Sequence, residues 1–365
     1  MKVLIDGGIF QMQSHGGVSR IYKEIFPKIS DLDSNCELIL THKHSIDLFN
    51  FIFKKIFYLE PRNRLPYYNQ IKSYLNALIR LYYLKNEKEI VYHATYYNIP
   101  DLWSGKIIVS VFDLIHEKFP SYVNEMDYFS FIKIKEQAIK KADKIISISE
   151  STKKDLITYY GISKEKIEVI PLGVSDDFNL KLKYEGFLYN KLNFSYFLYV
   201  GRKSLYKNIN ILYLALQNCE FKNYKLVLVS SPLEKREIEY LKKLGIYNQI
   251  IVFSNIHDKD LAYLYKNAKC FVYPSIYEGF GIPLLEAARM KVKIVCSNIP
   301  SSVEVIKDGA IYFDPNSVES LVDALLKSFE SNNSIIEKAY NYASLYSWEI
   351  CAEKTLDLYY KLSNF

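Results

Sequence analysis

One stretch decides the fold, and it reads Tyr273-Pro-Ser-Ile-Tyr-Glu-Gly-Phe-Gly-Ile-Pro-Leu-Leu-Glu286-Ala. The apolar run from Cys270 to Tyr273 enters it and predicts a buried strand that ends at a Pro-Ser turn. A loop with two glycines then leads to Pro283, which suits the start of a helix because its fixed φ and missing N–H cost nothing there. Strand, glycine loop and helix in this order predict a ligand site at the carboxyl edge of a parallel sheet.

Two carboxylates flank this turn, Glu278 on the loop and Glu286 in the helix, with seven residues between them. The glycines and the proline interrupt a continuous helix, so both carboxylates can face one cavity. The free N–H groups and the dipole of a helix start attract phosphate, while carboxylates accept strong hydrogen bonds from hydroxyls. A nucleotide sugar combines both features. The residues alone equally allow an interpretation without a ligand. In that case Glu278 is a solvated loop residue, and Glu286 only stabilises the start of the helix.

Length and composition predict two globular domains, because 365 residues exceed what one core normally supports. The five cysteines are scattered without paired spacing, which favours reduced thiols in the cytoplasm and disfavours disulfides or a metal site. We find no signal peptide, and no apolar run approaches the roughly 20 residues that span a bilayer. The net charge of +6 suits phosphate-rich ligands or an anionic membrane face. Nucleic acid is disfavoured, since the lysines are spread out and no recognition motif is present.

Two segments of the first half leave their interpretation open. Gly16 and Gly17 lie between a short strand, Val3–Ile5, and an amphipathic helix that runs to about Ser30. They either bring backbone close to a phosphate or form a tight turn without a ligand. The aromatic, lysine-containing segment from Ile46 to Leu59 is compatible with a membrane interface or with an ordinary core helix or strand.

Polar residues follow two predicted strands of the first half. His93 comes at the end of the strand that begins at Ile90, and Asp113 and His116 follow the strand Lys106–Phe112. In the second half, Arg202 and Lys207 follow the strand Tyr196–Val200 and a glycine. Cations at the carboxyl end of a strand can clamp a diphosphate or can simply form a solvated basic loop.

The segment Glu278-Gly-Phe-Gly-Ile-Pro-Leu-Leu-Glu286-Ala resembles the Glu-x7-Glu signature of retaining glycosyltransferases of the GT-B fold, in the large family 4. The match extends in order over nearly the whole chain. Gly16 and Gly17 are similar to the family's first loop, which reaches the donor diphosphate. Arg202 and Lys207 are similar to its diphosphate clamp, and Ile256 lies where the family often seats the nucleobase.

One position departs from the family pattern. The family usually has His-Asp at the end of the strand Lys106–Phe112, with the His near the reaction centre, and this chain has Phe112 before Asp113. Either His116 or His93 supplies the missing polar contact, or these histidines are ordinary structural residues. The resemblance also implies an acceptor side that includes His93 and Asp113.

The resemblance implies an α/β protein with two doubly wound Rossmann-like domains that face each other across a cleft. Residues 1–178 would bind the acceptor, with the helix 348–365 packing back on them, and residues 179–347 would bind the nucleotide sugar. Transfer would need no metal and no cofactor. Glu278, Gly279, Phe280 and Gly281 would contact the donor sugar, and Glu286 the ribose.

The implied function is hexose transfer to a glycan or lipid-linked glycan of a bacterial surface polysaccharide, with GDP-mannose as the first choice of donor. The enzyme would work in the cytoplasm and could contact the inner face of the plasma membrane. Arg202, Lys207, Glu278, Asp113 and His116 would act at the reaction centre. A sugar-nucleotide epimerase or a non-catalytic nucleotide-sugar-binding protein of the same fold is the alternative, and Phe112 favours the non-catalytic protein.

Overall fold

The computed structural model describes residues 1–6, 9–10, 16–40, 55–56, 90–99, 103, 105–122, 128–181, 184 and 192–363. The segment 46–59 lies outside these residues, apart from the strand Lys55–Ile56. The chain divides into two compact units. The first comprises Met1–Leu114, Glu125–Leu172 and Trp348–Phe365, and the second comprises Ile115–Asn124 and Gly173–Ser347.

The first unit contains a parallel sheet with the strand order β3-β2-β1-β4-β5-β6-β7. Strands β4 and β5 are buried almost throughout, as expected for a parallel sheet with helices on both faces. The seven strands are Lys2–Ile5 (β1), Glu37–Leu40 (β2), Lys55–Ile56 (β3), Ile90–Ala94 (β4), Lys106–Val111 (β5), Lys144–Ser147 (β6) and Ile167–Val169 (β7).

Among the described helices of the first unit, one begins and ends at identifiable signals. Ser149 caps this helix by accepting a hydrogen bond from the Thr152 amide, and Gly161 ends it in the left-handed conformation. These helices are Gly17–Leu32 (α1), Tyr128–Lys141 (α3), Glu150–Tyr160 (α4) and the C-terminal Trp348–Ser363 (α12). Helix α12 packs along α1 and belongs to the first unit.

The second unit contains a parallel sheet with the order β10-β9-β8-β11-β12-β13, which is the doubly wound arrangement. Its strands are Tyr196–Val200 (β8), Lys225–Val229 (β9), Ile250–Phe253 (β10), Cys270–Tyr273 (β11), Ile294–Ser297 (β12) and Ile311–Phe313 (β13). Its helices are Ile115–Lys118 (α2), Ile209–Ala215 (α5), Lys235–Lys243 (α6), Asp258–Asn267 (α7), Ile282–Arg289 (α8), Pro300–Ile306 (α9), Val318–Glu330 (α10) and Ser334–Ala343 (α11).

Each sheet has its own apolar core. In the first unit, side chains of β4, β5 and α3 pack together, among them Tyr92, Val109 and Ile139. In the second, Phe197 and Val272 pack against α5 and α10. The two sheets confirm the predicted α/β fold with two Rossmann-like domains. In the described part of the chain, no helix is long and apolar enough to cross a bilayer.

Candidate functional site

Two loops at the carboxyl edge of the second sheet form the candidate site. One follows β8 and covers residues 201–208, and the other follows β11 and covers residues 274–281. Because β8 and β11 are neighbours in a parallel sheet, their carboxyl ends meet at the same edge. The Ile276 amide donates a hydrogen bond to the Tyr206 carbonyl at 2.8 Å. This bond joins the two loops.

An ion pair between Glu278 and Lys207 occupies the centre of these loops. The Lys207 Nζ lies 2.5 Å from the Glu278 Oε1, and the two side chains are only 16% and 13% exposed. The ammonium also lies 5.5 Å from the ring centroids of both Tyr206 and Tyr273. Two opposite charges therefore lie in a largely desolvated place, where their attraction is stronger than in water.

Two buried tyrosines support this ion pair, and sequence reasoning did not identify them. The Tyr273 hydroxyl donates to Glu278, and burial followed by the Glu278 charge raises the pKa of Tyr273 well above its ordinary value. The Tyr199 hydroxyl donates to the Arg202 carbonyl at 2.6 Å, and burial raises its pKa as well. Both hydroxyls therefore stay protonated as donors. The sequence did contain one signal for Tyr273, because this tyrosine is the last residue of the apolar run Cys270–Tyr273 and directly precedes the loop of the site.

Gly281 makes the turn from the loop into α8. Its φ of 130° lies in the region that L side chains rarely adopt, and a Cβ there would lie 3.0 Å from Leu284 Cδ1. The helix begins at Ile282, one residue before Pro283, which the sequence pattern had indicated as its first residue. Glu286 is 3% exposed in this helix and accepts a hydrogen bond from the Tyr265 hydroxyl at 2.9 Å. The interruption predicted between Glu278 and Glu286 is therefore present.

The cations of the β8 loop differ in their surroundings. Arg202 is exposed, whereas Lys203 forms an ion pair with Glu237 and donates to the Pro232 carbonyl at 2.9 Å. Only Lys207 pairs with Glu278. Of the two lysines in this loop, Lys207 therefore lies at the candidate site, whereas Lys203 contacts α6 and the loop before it.

The remaining donor-side predictions lie in the second unit. Gly279 and Phe280 are buried, and the Phe280 ring packs edge-on against Tyr346 with centroids 5.6 Å apart. Ile256 is half-buried and follows Asn255, whose φ is +54°. The place of Ile256 near a nucleobase stays a prediction.

Buried serine hydroxyls near the ends of β11 and β12 were not anticipated as a group. Ser275 and Ser297 are fully buried, and Ser301 and Ser302 are buried in the first turn of α9. Their Oγ atoms have no hydrogen-bond partner among the residues that the structure describes. A buried hydroxyl without a partner is costly unless a bound group satisfies it.

The segment that carries His116 groups with the second unit. Phe119 packs against the ring of Tyr277 at 5.5 Å, and the Lys118 ammonium lies 4.9 Å from the same ring. Tyr277 immediately precedes Glu278. The short helix α2 with His116 therefore packs beside the loop of the candidate site, which the sequence did not reveal.

In the first unit, Gly16 precedes α1 with extended backbone, and its carbonyl accepts hydrogen bonds from the Ser19 hydroxyl and the Arg20 amide. Gly17 is exposed. Asp113 is half-buried after β5, and its carbonyl accepts a hydrogen bond from Lys135 Nζ at 2.7 Å. Their roles toward a donor or an acceptor stay predictions.

His93 does not fit the acceptor contact expected of it. It is 1% exposed, its Nδ1 lies 2.6 Å from the Tyr359 hydroxyl and its Nε2 lies 2.8 Å from Ser110 Oγ. Burial lowers the pKa of His93 to about 3, so the ring is neutral. Protein groups already occupy both ring nitrogens. We therefore assign His93 the structural role of linking α12 to the sheet.

Phe112 replaces the family's histidine with an apolar contact. It is 7% exposed and packs edge-on against Tyr22 with centroids 5.9 Å apart. Both rings line a small cavity of about 20 Å³, roughly the space of one water, together with Ile148 and Leu172. The residue before Asp113 therefore belongs to the core of the first unit.

Known proteins match both halves of the chain. The profile of Glycosyltransferase Family 4 matches residues 16–178, and that of Glycosyl transferases group 1 matches residues 188–344. The O-antigen chain mannosyltransferase B of Escherichia coli is 27% identical over 288 residues, which cover 76% of this chain and 75% of the relative.

Solved structures match the whole chain. A glycosyltransferase from Rickettsia africae superposes with a TM-score of 0.73 at 21% identity and covers 99% of this chain and 98% of its own. Anabaena HepE in complex with UDP-glucose superposes with a TM-score of 0.76 at 15% identity. The match covers 99% of this chain and 100% of the HepE chain. The fold is thus the GT-B fold. The two family profiles together match residues 16–178 and 188–344, and the Glu278–Lys207 pair lies within the second match. This chain belongs to glycosyltransferase family 4.

Proposed function

We propose that this glycosyltransferase transfers mannose from GDP-mannose to a glycan or lipid-linked glycan of a bacterial surface polysaccharide. We further propose that it retains the anomeric configuration and needs neither a metal ion nor another cofactor. The mannose donor and the polysaccharide are supported by the name of the E. coli relative, an O-antigen chain mannosyltransferase. A nucleotide-sugar donor is supported by HepE, whose structure contains UDP-glucose.

The observation that carries the proposal is the Glu278–Lys207 ion pair, with Arg202 exposed on the same loop as Lys207. A departing diphosphate develops negative charge, and preorganised cations stabilise such charge in a desolvated site. The carboxylate beside the lysine can accept hydrogen bonds from sugar hydroxyls. One pair therefore offers a cation to the leaving group and an acceptor to the hexose.

The reaction would proceed with few protein groups. The bond between the anomeric carbon and the diphosphate oxygen breaks, and Lys207 and Arg202 stabilise the charge of the departing GDP. The acceptor hydroxyl oxygen forms the new bond on the face that the phosphate leaves. Its proton passes to a phosphate oxygen. Glu278 would hold the hexose during this step, and Glu286 would hold the ribose.

Other predicted residues complete this proposal. Gly16 and Gly17 would reach the diphosphate, Gly279 to Gly281 would lie along the sugar, and Ile256 would contact the base. Asp113 and His116 would act near the acceptor hydroxyl. The five cysteines all lie in the described part of the chain as reduced thiols, which suits a reducing compartment such as the cytoplasm. Contact with the inner face of the membrane is a further part of the proposal, because lipid-linked acceptors lie there.

A non-catalytic nucleotide-sugar-binding protein is the second candidate. The observation that favours it is Phe112, an apolar core residue at the place where the family usually has a histidine. This alternative predicts donor binding without turnover.

The test combines donor binding with product analysis. Melting temperatures are measured with GDP-, UDP-, dTDP- and CMP-sugars and with each bare nucleotide, since a ligand of the folded state raises the melting temperature. We expect the largest shift with GDP-mannose, unchanged by EDTA. With that donor and mannose oligosaccharides as acceptors, NMR of the product should show the α anomer. Binding without any GDP release would favour the non-catalytic candidate, and a β product would exclude retention.

A further inference from the structure

A hydrogen bond between two packed helices of the second unit reaches one of the carboxylates of the candidate site. Helix α7 packs against α8. The Tyr265 hydroxyl on α7 donates to the Glu286 Oε2 on α8 at 2.9 Å, and both side chains are buried. A buried hydroxyl needs a partner, and a charged acceptor gives a stronger bond than a neutral one. The bond therefore fixes the two side chains relative to each other.

Packing holds the ring of Tyr265 in one place. Phe178 and Phe271 both pack edge-on against it, with centroid distances of 5.9 Å and 5.2 Å. All three rings are fully buried. Phe271 lies in β11, the strand that leads into the Glu278 loop. Edge-to-face contacts favour a defined arrangement of the rings. The Tyr265 hydroxyl consequently donates from a fixed position.

A glutamate needs such a donor if it is to present its carboxylate in one orientation. The terminal torsion of a glutamate side chain has a broad energy minimum, so the carboxylate turns readily unless a hydrogen bond holds it. The Tyr265 hydroxyl supplies this bond and uses one of roughly four acceptor positions of a carboxylate. Two neighbouring hydroxyls of a ligand then meet acceptor positions whose directions are already set. Precise binding sites depend on support of this kind.

A second buried tyrosine bonds to the same helix in an ordinary structural way. The Tyr196 hydroxyl on β8 donates to the Leu264 carbonyl at 2.8 Å and so ties α7 to the sheet. A backbone carbonyl is thus a sufficient partner for a buried hydroxyl in this region. Tyr265, the residue after Leu264, instead donates to the carboxylate of Glu286. Tyr196 is therefore a natural reference for the role of Tyr265.

We propose that Tyr265 is a positioning residue for ribose recognition. It holds the Glu286 carboxylate in the orientation in which the 2′- and 3′-hydroxyls of the donor ribose both donate to it. The inference rests on the proposed function, in which Glu286 holds the ribose, and adds the residue that orients this glutamate. Tyr265 acts through Glu286 rather than by touching the donor. A nucleotide without ribose hydroxyls leaves the oriented carboxylate unpaired, which weakens its binding.

Binding of nucleotides with and without ribose hydroxyls tests this role. The probes are GDP, UDP and their 2′,3′-dideoxy analogues, titrated by calorimetry against wild type and Tyr265→Phe. The ribose ratio is the Kd of the dideoxy nucleotide divided by the Kd of its parent. We expect a ratio on the order of 100 for wild type and about ten for Tyr265→Phe, because bonds to a charged acceptor are lost or misaligned. The substitution keeps the ring and its packing.

Two further variants provide the controls. Tyr196→Phe removes a buried hydroxyl that donates to a carbonyl of the same helix, so its ribose ratio should equal that of wild type. Glu286→Met removes the carboxylate itself, and its ratio should fall to about one, because no charged acceptor is left for the hydroxyls. Melting temperatures without ligand confirm that each variant is folded.

The outcomes separate the role of Tyr265 from that of Glu286. An unchanged ratio in Tyr265→Phe, or equal decreases in Tyr265→Phe and Tyr196→Phe, would make Tyr265 a structural contact between helices and reject the inference alone. A wild-type ratio near one, or an unchanged ratio in Glu286→Met, would show that Glu286 does not hold the ribose. That result would reject this part of the proposed function together with the inference. A wild type that binds neither GDP nor UDP would reject both as well.

Discussion

The carboxyl edges of the two sheets have the same architecture and opposite chemistry. The edge of the second sheet carries charge, with Glu278 and Lys207 paired in a largely buried place and Arg202 exposed beside them. At the edge of the first sheet the rings of Tyr96 and Tyr97 follow β4, and the histidine of that strand, His93, is buried and neutral. The doubly wound fold therefore does not determine the ligand. The side chains at the strand ends do.

The difference between Lys207 and His93 shows how burial and partners decide charge. Lys207 is largely desolvated, but its ammonium lies 2.5 Å from the Glu278 carboxylate. His93 is fully buried with only the hydroxyls of Tyr359 and Ser110 against its nitrogens, so desolvation prevails and its pKa falls. We expect substitutions at the first position to affect catalysis and those at the second to affect folding.

The largest effect is expected for Lys207→Met. It removes the cation that would stabilise the departing diphosphate, so mannose transfer should fall by about 100- to 1000-fold. The matched control is Lys203→Met, which removes a lysine of the same loop that pairs with Glu237 instead. Transfer by this variant should stay within about threefold of wild type, because Lys203 points away from Glu278. Equal losses in both variants would mean that the basic loop acts only through its net charge.

The effect of Lys207→Met on transfer can be separated from its effect on stability. Lys207→Met leaves Glu278 without its counter-ion, which should lower stability by about 3 kcal/mol. Adding Glu278→Gln removes the uncompensated carboxylate, so the double variant should regain most of the melting temperature but none of the transfer. Recovery of transfer in the double variant would contradict a direct role for either residue.

His93 predicts a pH dependence of stability. Its folded pKa of about 3 lies below its ordinary value of 6.5, so the unfolded chain takes up the proton first as the pH falls. The contribution of His93 is complete above about pH 6.5 and is lost below it, at up to about 1.4 kcal/mol per pH unit. Urea unfolding of wild type and His93→Gln between about pH 4 and 7 checks this. Parallel pH profiles of the two proteins would contradict a neutral, buried His93.

A smaller effect is expected for Phe112→Leu. The substitution enlarges an apolar cavity that is already about 20 Å³ and removes the edge contact to Tyr22. Stability should fall by about 1 to 2 kcal/mol, while donor binding and transfer at low temperature stay near those of wild type. A loss of transfer without a loss of stability would place Phe112 at the reaction centre after all.

The apolar strands could be predicted from sequence because each is a short, almost wholly apolar run bounded by turn residues. Cys270–Tyr273 and Lys106–Val111 are examples, and the glycines and Pro283 marked the turn that separates Glu278 from Glu286. Strands and turns of this kind can be predicted because the residues that determine them are neighbours in the sequence.

The partners of individual side chains could not be predicted in the same way. Lys203 and Lys207 both follow β8, and the structure shows that the first pairs with Glu237 on α6 and the second with Glu278. His93 looked available at a strand end, yet its partner Tyr359 lies 266 residues away on the last helix. Long-range contacts of this kind depend on the whole fold.

The central claim is that Glu278 and Lys207 form the catalytic centre for transfer from a nucleotide sugar. The most direct measurement compares GDP release from GDP-mannose by wild type and Glu278→Gln, with mannose oligosaccharides as acceptors. We expect the wild type to turn over and Glu278→Gln to lose at least about 100-fold in rate, while GDP still raises the melting temperature of both proteins. Turnover by Glu278→Gln close to that of wild type would contradict a catalytic role for Glu278.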